Sequence, residues 1–277
     1  MKHASLVALL VVSLLAAPAR AWGPIGHRVA AQIAEHNISG KTRARIVEIL
    51  GSETLVEASN WPDEQRANPD AYWQKISPAF HLVDVPVGVT TRAMSHPPEG
   101  DAVTALADFV ATLRDPRASR ADKQRALRFV AHIVQDLHQP LHVRRGTDNL
   151  GFNFVVSYRS GPQGAVTTNM HLLWDMQMIQ GLFVSASEYA AQLEGHITPE
   201  QTVAWWTADP LVWIEESVTL LGRIYPATGG PLGSGTANSP AIVPGDYTLR
   251  MRPILEERLQ QAGIRLAAYL DWIFAGA

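Results

Sequence analysis

The sequence predicts a mainly α-helical protein, folded as a single compact helical domain with at most a short β-hairpin. Three observations lead there. Apolar residues recur at three- and four-residue intervals along most of the chain. Strand-like patterning is confined to residues 152–158. No repeat or linker divides the 277 residues, of which 47% are hydrophobic and 18% charged, the balance of a globular chain with a sizeable core. The formal net charge of −3 argues against a bulk electrostatic grip on nucleic acid. With no cysteine, disulfides, thiolate metal sites and a cysteine nucleophile are all excluded. A metal would have to be held by His, Asp, Glu or main-chain groups. The bias to arginine and alanine suggests a GC-rich bacterial source.

Residues 1–21 read as an export signal. Lys2 and His3 precede an apolar run over residues 6–16, too short for the ~20 residues a membrane-spanning helix needs. Ala19-Arg20-Ala21 then gives a small-x-small cleavage pattern. Removal would leave residues 22–277 as the folded domain, beginning at Trp22, in a secreted or periplasmic protein. It would also remove Lys2 and Arg20, so the mature chain would be more acidic.

Helices are expected in order along the rest. Residues 25–35 place Val29, Ile33 and Ala34 on one side, and residues 41–50 group Ile46, Ile49 and Leu50 before the C-cap candidate Gly51. Residues 101–113 open on an acid and repeat Val103, Leu106, Phe109, Val110 and Leu113. Residues 120–137 carry Leu127, Val130, Ile133, Val134 and Leu137, then meet Pro140. Residues 170–180 and 186–193 follow. A stretch opened by Pro199 runs to about Tyr225, with a break near Pro210. Residues 246–274 close the chain, with Pro253 as a possible kink. Residues 152–158 would be one arm of the hairpin, with its turn at residues 161–164, and residues 228–245 read as a long loop.

Histidine spacing carries the chemistry. His132-x3-Asp136 and His171-x3-Asp175 each put an imidazole and a carboxylate on one helix face, able to grip one ion. His27, Asp63, His81 and His142 are further candidates. One such pair is weak evidence, but two pairs with four isolated candidates in a cysteine-free exported chain are harder to dismiss. This donor set favours zinc among common catalytic ions and leaves manganese open. Trp22 offers its α-amine and carbonyl as a chelate if processing exposes the amine. His138 has the wrong phase to join His132 and Asp136 and is expected in the core or behind the ligands. His36, His96 and His196 are expected to be solvated or satisfied. Trp205, Trp206 and Trp213 are expected in the core. Asn37-Ile38-Ser39 is a glycosylation sequon, silent in a bacterium.

These residues, in this order, resemble the S1/P1 nuclease family. The resemblance rests on Trp22-Gly23-x2-Gly26-His27, Ala58-Ser59-x-Trp61-x-Asp63-x2-Arg66, Phe80-His81, His132-x3-Asp136-x2-Gln139-Pro140-Leu141-His142 and Asn169-x-His171-x2-Trp174-Asp175. A segment near Arg265 resembles the family's C-terminal helix more loosely. The resemblance implies a mainly helical fold with a trinuclear zinc cluster in a cleft. Asp63, His81, His132 and Asp136 would hold one Zn²⁺. Trp22, His27 and Asp136 would hold a second, with Asp136 as a bridge. His142, His171 and Asp175 would hold a third, more exposed ion. Such cross-links would take the place of disulfides, because metal-binding free energy becomes folding free energy. Three divalent ions would outweigh three ligand carboxylates, so an acidic protein could still present a cationic pocket to phosphate.

The implied reaction is hydrolysis of phosphodiester bonds in single-stranded DNA and RNA to 5′-phosphate products, with 3′-nucleotidase action on 3′-mononucleotides, by a monomer with no membrane attachment after signal removal. Asp63 would orient the attacking water, Arg66 would neutralise charge on the phosphate, and the third zinc would stabilise the leaving oxygen. Asp84 and Asn153 would line the base pocket. The sequence departs from the family at Leu82, where fungal members have an aromatic residue, and at Phe152, which replaces a glycine. Because base–aromatic stacking is worth ~1–3 kcal/mol, base preference is expected to differ unless Phe152 or Tyr158 supplies a ring. A zinc phospholipase C-like hydrolase and a non-catalytic periplasmic zinc-binding protein are the alternatives. The Asp63/Arg66 motif and the Asn153 segment favour the nuclease over the lipase.

Overall fold

Helix α1 (Pro24–Asn37) lies along the long C-terminal helix α12 (Tyr247–Phe274), and this pair forms the spine of the molecule. The protein is seen here as a computed structural model describing residues 22–144, 146–159, 164–226 and 234–275. Gly263 permits the close approach of the two helices: a Cβ there would stand 2.6 Å from Ile33 Cβ. Pro24 opens α1 at a first-turn position. Ser39 caps α2 (Gly40–Leu50), which ends at Gly51 with φ of 77°. Asp101 caps α5 (Ala102–Arg114), and Ser119 caps α6 (Arg120–Asp136).

Between α2 and α5 the chain makes short turns that the periodicity does not reveal. These are α3 (Leu55–Ala58), α4 (Trp61–Glu64), a 3₁₀ turn at Gln65–Ala67, a π-helical turn at Tyr72–Ile76 and a 3₁₀ turn at Ser77–His81. After α6 a further 3₁₀ turn, Pro140–His142, leads towards strands β1 (Val155–Arg159) and β2 (Ala165–Asn169). These two pair antiparallel, with Val155 opposite Asn169. The hairpin begins a few residues later than expected, and most of its expected turn, residues 161–163, lies outside the described residues.

Helix α7 (Met170–Leu172) continues through a π-helical turn, Leu173–Gln177, into α8 (Met178–Gln180). Helices α9 (Ala186–Glu194), α10 (Pro199–Trp205) and α11 (Pro210–Ile224) follow, with the expected break before Pro210. The 228–245 segment is not wholly loop. It contributes the two-residue strand β3 (Ala241–Ile242), which adds to β1 in parallel and completes a three-stranded sheet of order β2-β1-β3. Pro253 lies inside α12, whose assignment continues through it. Among the described residues no helix is long and apolar enough to cross a membrane.

Two apolar clusters flank the inward end of α6. One gathers Leu127, Phe129, Val130 and Val134 of α6 with Leu266 and Leu270 of α12. The other gathers Trp22, Val29, Ile33, Trp174, Tyr189 and Tyr247. Trp213 is fully buried and Trp205 nearly so, as expected of core residues, whereas Trp206 is 42% exposed. Between the clusters lie the polar residues that the sequence singled out.

Candidate metal centre

Each histidine is aimed by its local structure. His27 follows the Gly23-Pro24 entry to α1, and its Nδ1 lies 2.9 Å from Gln135 Oε1. His132 lies in the last turns of α6 and donates Nδ1–H to Ser59 O at 2.7 Å. His142 donates Nδ1–H to His81 O at 3.0 Å, and His171 to Leu150 O at 2.7 Å. A carbonyl can only accept, so these bonds place the proton on Nδ1 and leave Nε2 bare on the opposite side. His81 is turned the other way, with Nδ1 as its inward atom.

The inward atoms converge in three groups: Asp63, His81 and His132; His27, His132 and Asp136; and His142, His171 and Asp175. His81 Nδ1 and His132 Nε2 lie 2.8 Å apart, and each is 3.1 Å from Asp136 Oδ2. Asp63 Oδ1 stands 3.9 and 3.8 Å from the same two nitrogens. The other oxygen of Asp136, Oδ1, lies 3.5 Å from His27 Nε2. The carboxylate of Asp136 therefore faces two donor sets at once, as a bridging ligand must. In the third group Asp175 Oδ1 is 3.5 Å from His142 Nε2, and Oδ2 is 3.0 Å from His171 Nε2. Two ligands on a tetrahedral zinc with bonds of ~2.0–2.1 Å lie ~3.3 Å apart, so these spacings suit shared ions.

The donor set meets an independent test of fit. His27 Nε2, Asp136 Oδ1, His142 Nε2, His171 Nε2 and Asp175 Oδ2 are all buried without a hydrogen-bond partner. Buried polar atoms are rarely left so. Here they are bases gathered around common points, the arrangement a cation would satisfy. Burial lowers the pKa of His27 and of His132 to about 4, and His81 lies well below its ordinary value for the same first reason, so the imidazoles are neutral and able to ligate. Burial pushes Asp136 up to about 8, so its carboxylate lacks the positive charge that would keep it ionised. Asp63 is also buried, which works to raise its pKa. The neighbouring His132, together with the charge and hydrogen bond of Arg66, favours the carboxylate more than burial opposes it and holds its pKa below the usual range.

The sequence motif around the third group has a plain physical basis. Gln139 accepts from Leu141 N at 2.6 Å, shaping the Pro140–His142 turn, and donates to Asp175 Oδ1 at 2.5 Å. Asn169 caps α7, and the Trp174 indole donates to Tyr247 OH at 2.9 Å. The π-helical turn carries Asp175 round to His171. Gly151, with φ of 80°, lets the loop pass close to His171 N, which a Cβ would approach to 3.2 Å. The residues of this group are as buried as those of the other two, rather than more exposed. The Phe152 ring covers part of the group: it lies 3.7 Å from the His171 ring, which stacks in turn on His142 at 4.8 Å.

The remaining expected residues divide. Arg66 donates Nε–H to Asp63 Oδ1 at 2.6 Å, so it is paired within the site and not with a distant surface acid. Trp22 is fully buried, with its indole donating to Gln135 O at 3.0 Å. The expected chelate would use its main-chain amine, which only cleavage after Ala21 would expose, and residues 1–21 lie outside the described residues. Asp84 is on the wall of a cavity of about 770 Å³ that also meets Leu82, Val83 and Leu150. Asn153 is exposed and is not among the residues that line that cavity. Sequence reasoning missed Ser59 O and Leu150 O as orienting groups, since a main-chain acceptor leaves no residue-type signal, and it missed the side chain of Gln135, which lies far from His27 in sequence. His138 lies behind the site, with Nδ1–H donated to Val134 O at 2.7 Å.

The chain is similar in sequence to known proteins. Residues 22–275 match the family described as S1/P1 Nuclease. The chain is 27% identical to nuclease S1 of Aspergillus oryzae (strain ATCC 42149 / RIB 40), with 91% of each chain covered. It is 30% identical to endonuclease 4 of Arabidopsis thaliana, covering 96% of this chain and 94% of the relative. It is 26% identical to nuclease P1 of Penicillium citrinum, covering 91% and 97%.

Proposed function

Because this chain belongs to the S1/P1 nuclease family, a family of metal-dependent phosphodiester hydrolases, we propose that it cleaves single-stranded DNA and RNA with three bound Zn²⁺. The observation that carries this reading is the convergence of histidine nitrogens and carboxylate oxygens in three groups, in two of which buried ligand atoms have no hydrogen-bond partner. Asp63, His81, His132 and Asp136 would hold one ion. Trp22, His27 and Asp136 would hold the second, and His142, His171 and Asp175 the third. Bound there, zinc supplies Lewis acidity, polarising phosphate and lowering the pKa of water towards ~7.

The chain's own groups do the rest. Asp63 keeps its carboxylate ionised beside Arg66 and can accept a hydrogen bond from the attacking water, fixing its line of approach. Arg66 spends Nε on Asp63, which leaves both Nη groups for the charge that builds on a phosphate. Asp84 would accept from a base in the adjoining cavity, and Asn153 would help to line the base pocket from its exposed position. A site this recessed admits a splayed nucleotide more readily than a stacked pair, which favours single strands and 3′-mononucleotides and yields 5′-phosphate products. Removal of residues 1–21 would expose the Trp22 amine, and the family match also begins at that residue. The mature protein is then a secreted or periplasmic monomer.

The test is elemental analysis of the mature protein together with assays on single-stranded RNA and DNA. Three zinc ions per chain and 5′-phosphate products are expected. One extra residue ahead of Trp22 should cost one zinc. Unchanged zinc content would contradict amine chelation, and a fully loaded protein that cleaves no phosphoester would contradict the reading as a whole.

A further inference from the structure

The cavity beside Asp84 has a second polar element on its wall. His96 lies 2.6 Å through Nδ1 from Asp101 Oδ2, and both residues line the cavity. Asp101 is 5% exposed and is the N-cap of α5. Its Oδ1 accepts from Val103 N and Thr104 N, both at 3.0 Å, so the carboxylate cannot swing without uncapping the helix. The same helix end is tied to the metal centre, because Ala102 N donates to Leu82 O at 2.9 Å and Leu82 follows His81 directly. His96 itself is 34% exposed at the side chain. A carboxylate on Nδ1 fixes the ring's tautomer and orientation and leaves Nε2 as the atom that can meet a ligand.

We propose that His96, aimed by Asp101, is a specificity-determining residue whose Nε2 hydrogen-bonds to the nucleobase entering this cavity. The inference rests on the nuclease reading above and adds to it a group that faces the base, not the phosphate. The walls suit the task. Pro78, Leu82 and Pro97 offer apolar faces to a base, and Leu82 cannot supply the ring stacking an aromatic residue would. Directional hydrogen bonds at the base edge then carry more of the discrimination. A histidine on a loop held to a helix cap could also be only an anchor for residues 95–100, and the two roles predict different results.

The experiment compares His96→Phe and His96→Gln with wild type. Substrates are single-stranded oligoribonucleotides of A, C or U, with bis(4-nitrophenyl) phosphate as a diester lacking a base. For His96→Phe, the ratio of kcat/KM on the oligomers to that on the base-free diester should fall about five- to tenfold, the loss expected for one hydrogen bond. The fall should lie mostly in KM and differ among A, C and U. His96→Gln should recover part of it. Equal loss on both substrate types, or a lowered Tm with an unchanged ratio and base profile, would make His96 an anchor and overturn the proposal. If wild type cleaves the base-free diester but no oligomer, the nuclease reading fails and this inference falls with it.

Discussion

Asp136 and His138 stand two residues apart at the end of α6 and belong to buried polar clusters of opposite kind. On the Asp136 side, histidine nitrogens and carboxylate oxygens face one another without hydrogen-bond partners. On the His138 side, both arginines are answered by protein acceptors. Arg265 forks onto both oxygens of Glu216, at 2.5 and 2.7 Å. Arg258 reaches the same carboxylate at 2.7 Å, Ser217 Oγ at 2.7 Å, and the carbonyls of His138 and Trp213 at 3.0 and 3.1 Å. Both arginines are 2% exposed. The second cluster joins α11, α12 and the turn after α6 with protein groups alone. The first is complete only with something brought from outside. A stability device thus backs a metal device, and the two should separate under perturbation.

The largest separation should come from chelation. Removing metal should abolish cleavage and lower Tm by at least about 10 °C, since metal-binding free energy is folding free energy here. Zinc should restore both, as calorimetry with and without EDTA would show; a chelated protein with unchanged Tm would break the comparison. Next in size is Asp136→Ala. It should remove more than one zinc by elemental analysis and cut kcat by at least about 10³, because one carboxylate serves two donor sets. Loss of a single ion would mean that Asp136 does not bridge.

Legibility in the sequence divides along the same line. His132-x3-Asp136 and His171-x3-Asp175 were readable because helical spacing fixes which side chains share a face. The long helices were readable through their apolar period, and residues 55–81 were not, because turns of three to five residues show no period. Asp63 and His81 lie in that stretch, and only the family resemblance placed them. The Glu216–Arg258–Arg265 cluster had no signal, since Glu216 comes from α11 and the two arginines from α12, and all three look like surface charges. Asn153 rests on the motif alone: its neighbours Gly151 and Phe152 reach the His171 side of the site, and Asn153 itself is exposed.

Glu216→Gln should sharpen the contrast from the other side. It leaves two buried guanidinium groups short of a counter-charge. Breaking a buried pair costs ~3–5 kcal/mol, and partial exposure of Glu216 reduces this to about 2 kcal/mol, or ~4–8 °C in Tm. Zinc content should be unchanged. Phe152→Ala should do the converse on a smaller scale. Without the ring over His171, the zinc at His142, His171 and Asp175 should dissociate several-fold more readily, read by competition with a chromogenic chelator, while Tm of the metal-free protein moves little. Equal zinc retention would make Phe152 a bystander.

The smallest effect is a pH dependence peculiar to the arginine cluster. Partial burial of Glu216 works to raise its pKa, but the hydrogen bonds and charges of Arg265 and Arg258 outweigh it, and the net shift is downward. A carboxylate whose pKa is depressed on folding contributes stability that is present above its unfolded value, near 4.5, and is lost as pH falls through the folded value. The gap in Tm between wild type and Glu216→Gln should therefore be constant from pH 7 to about 5 and narrow below that. Comparing metal-free samples of both removes the contribution of zinc loss, which protonation of the histidines would otherwise add in the same range. A gap that stayed constant down to pH 3 would mean that the arginines hold Glu216 by shape and not by charge, and the two clusters would then differ less than their hydrogen bonds suggest.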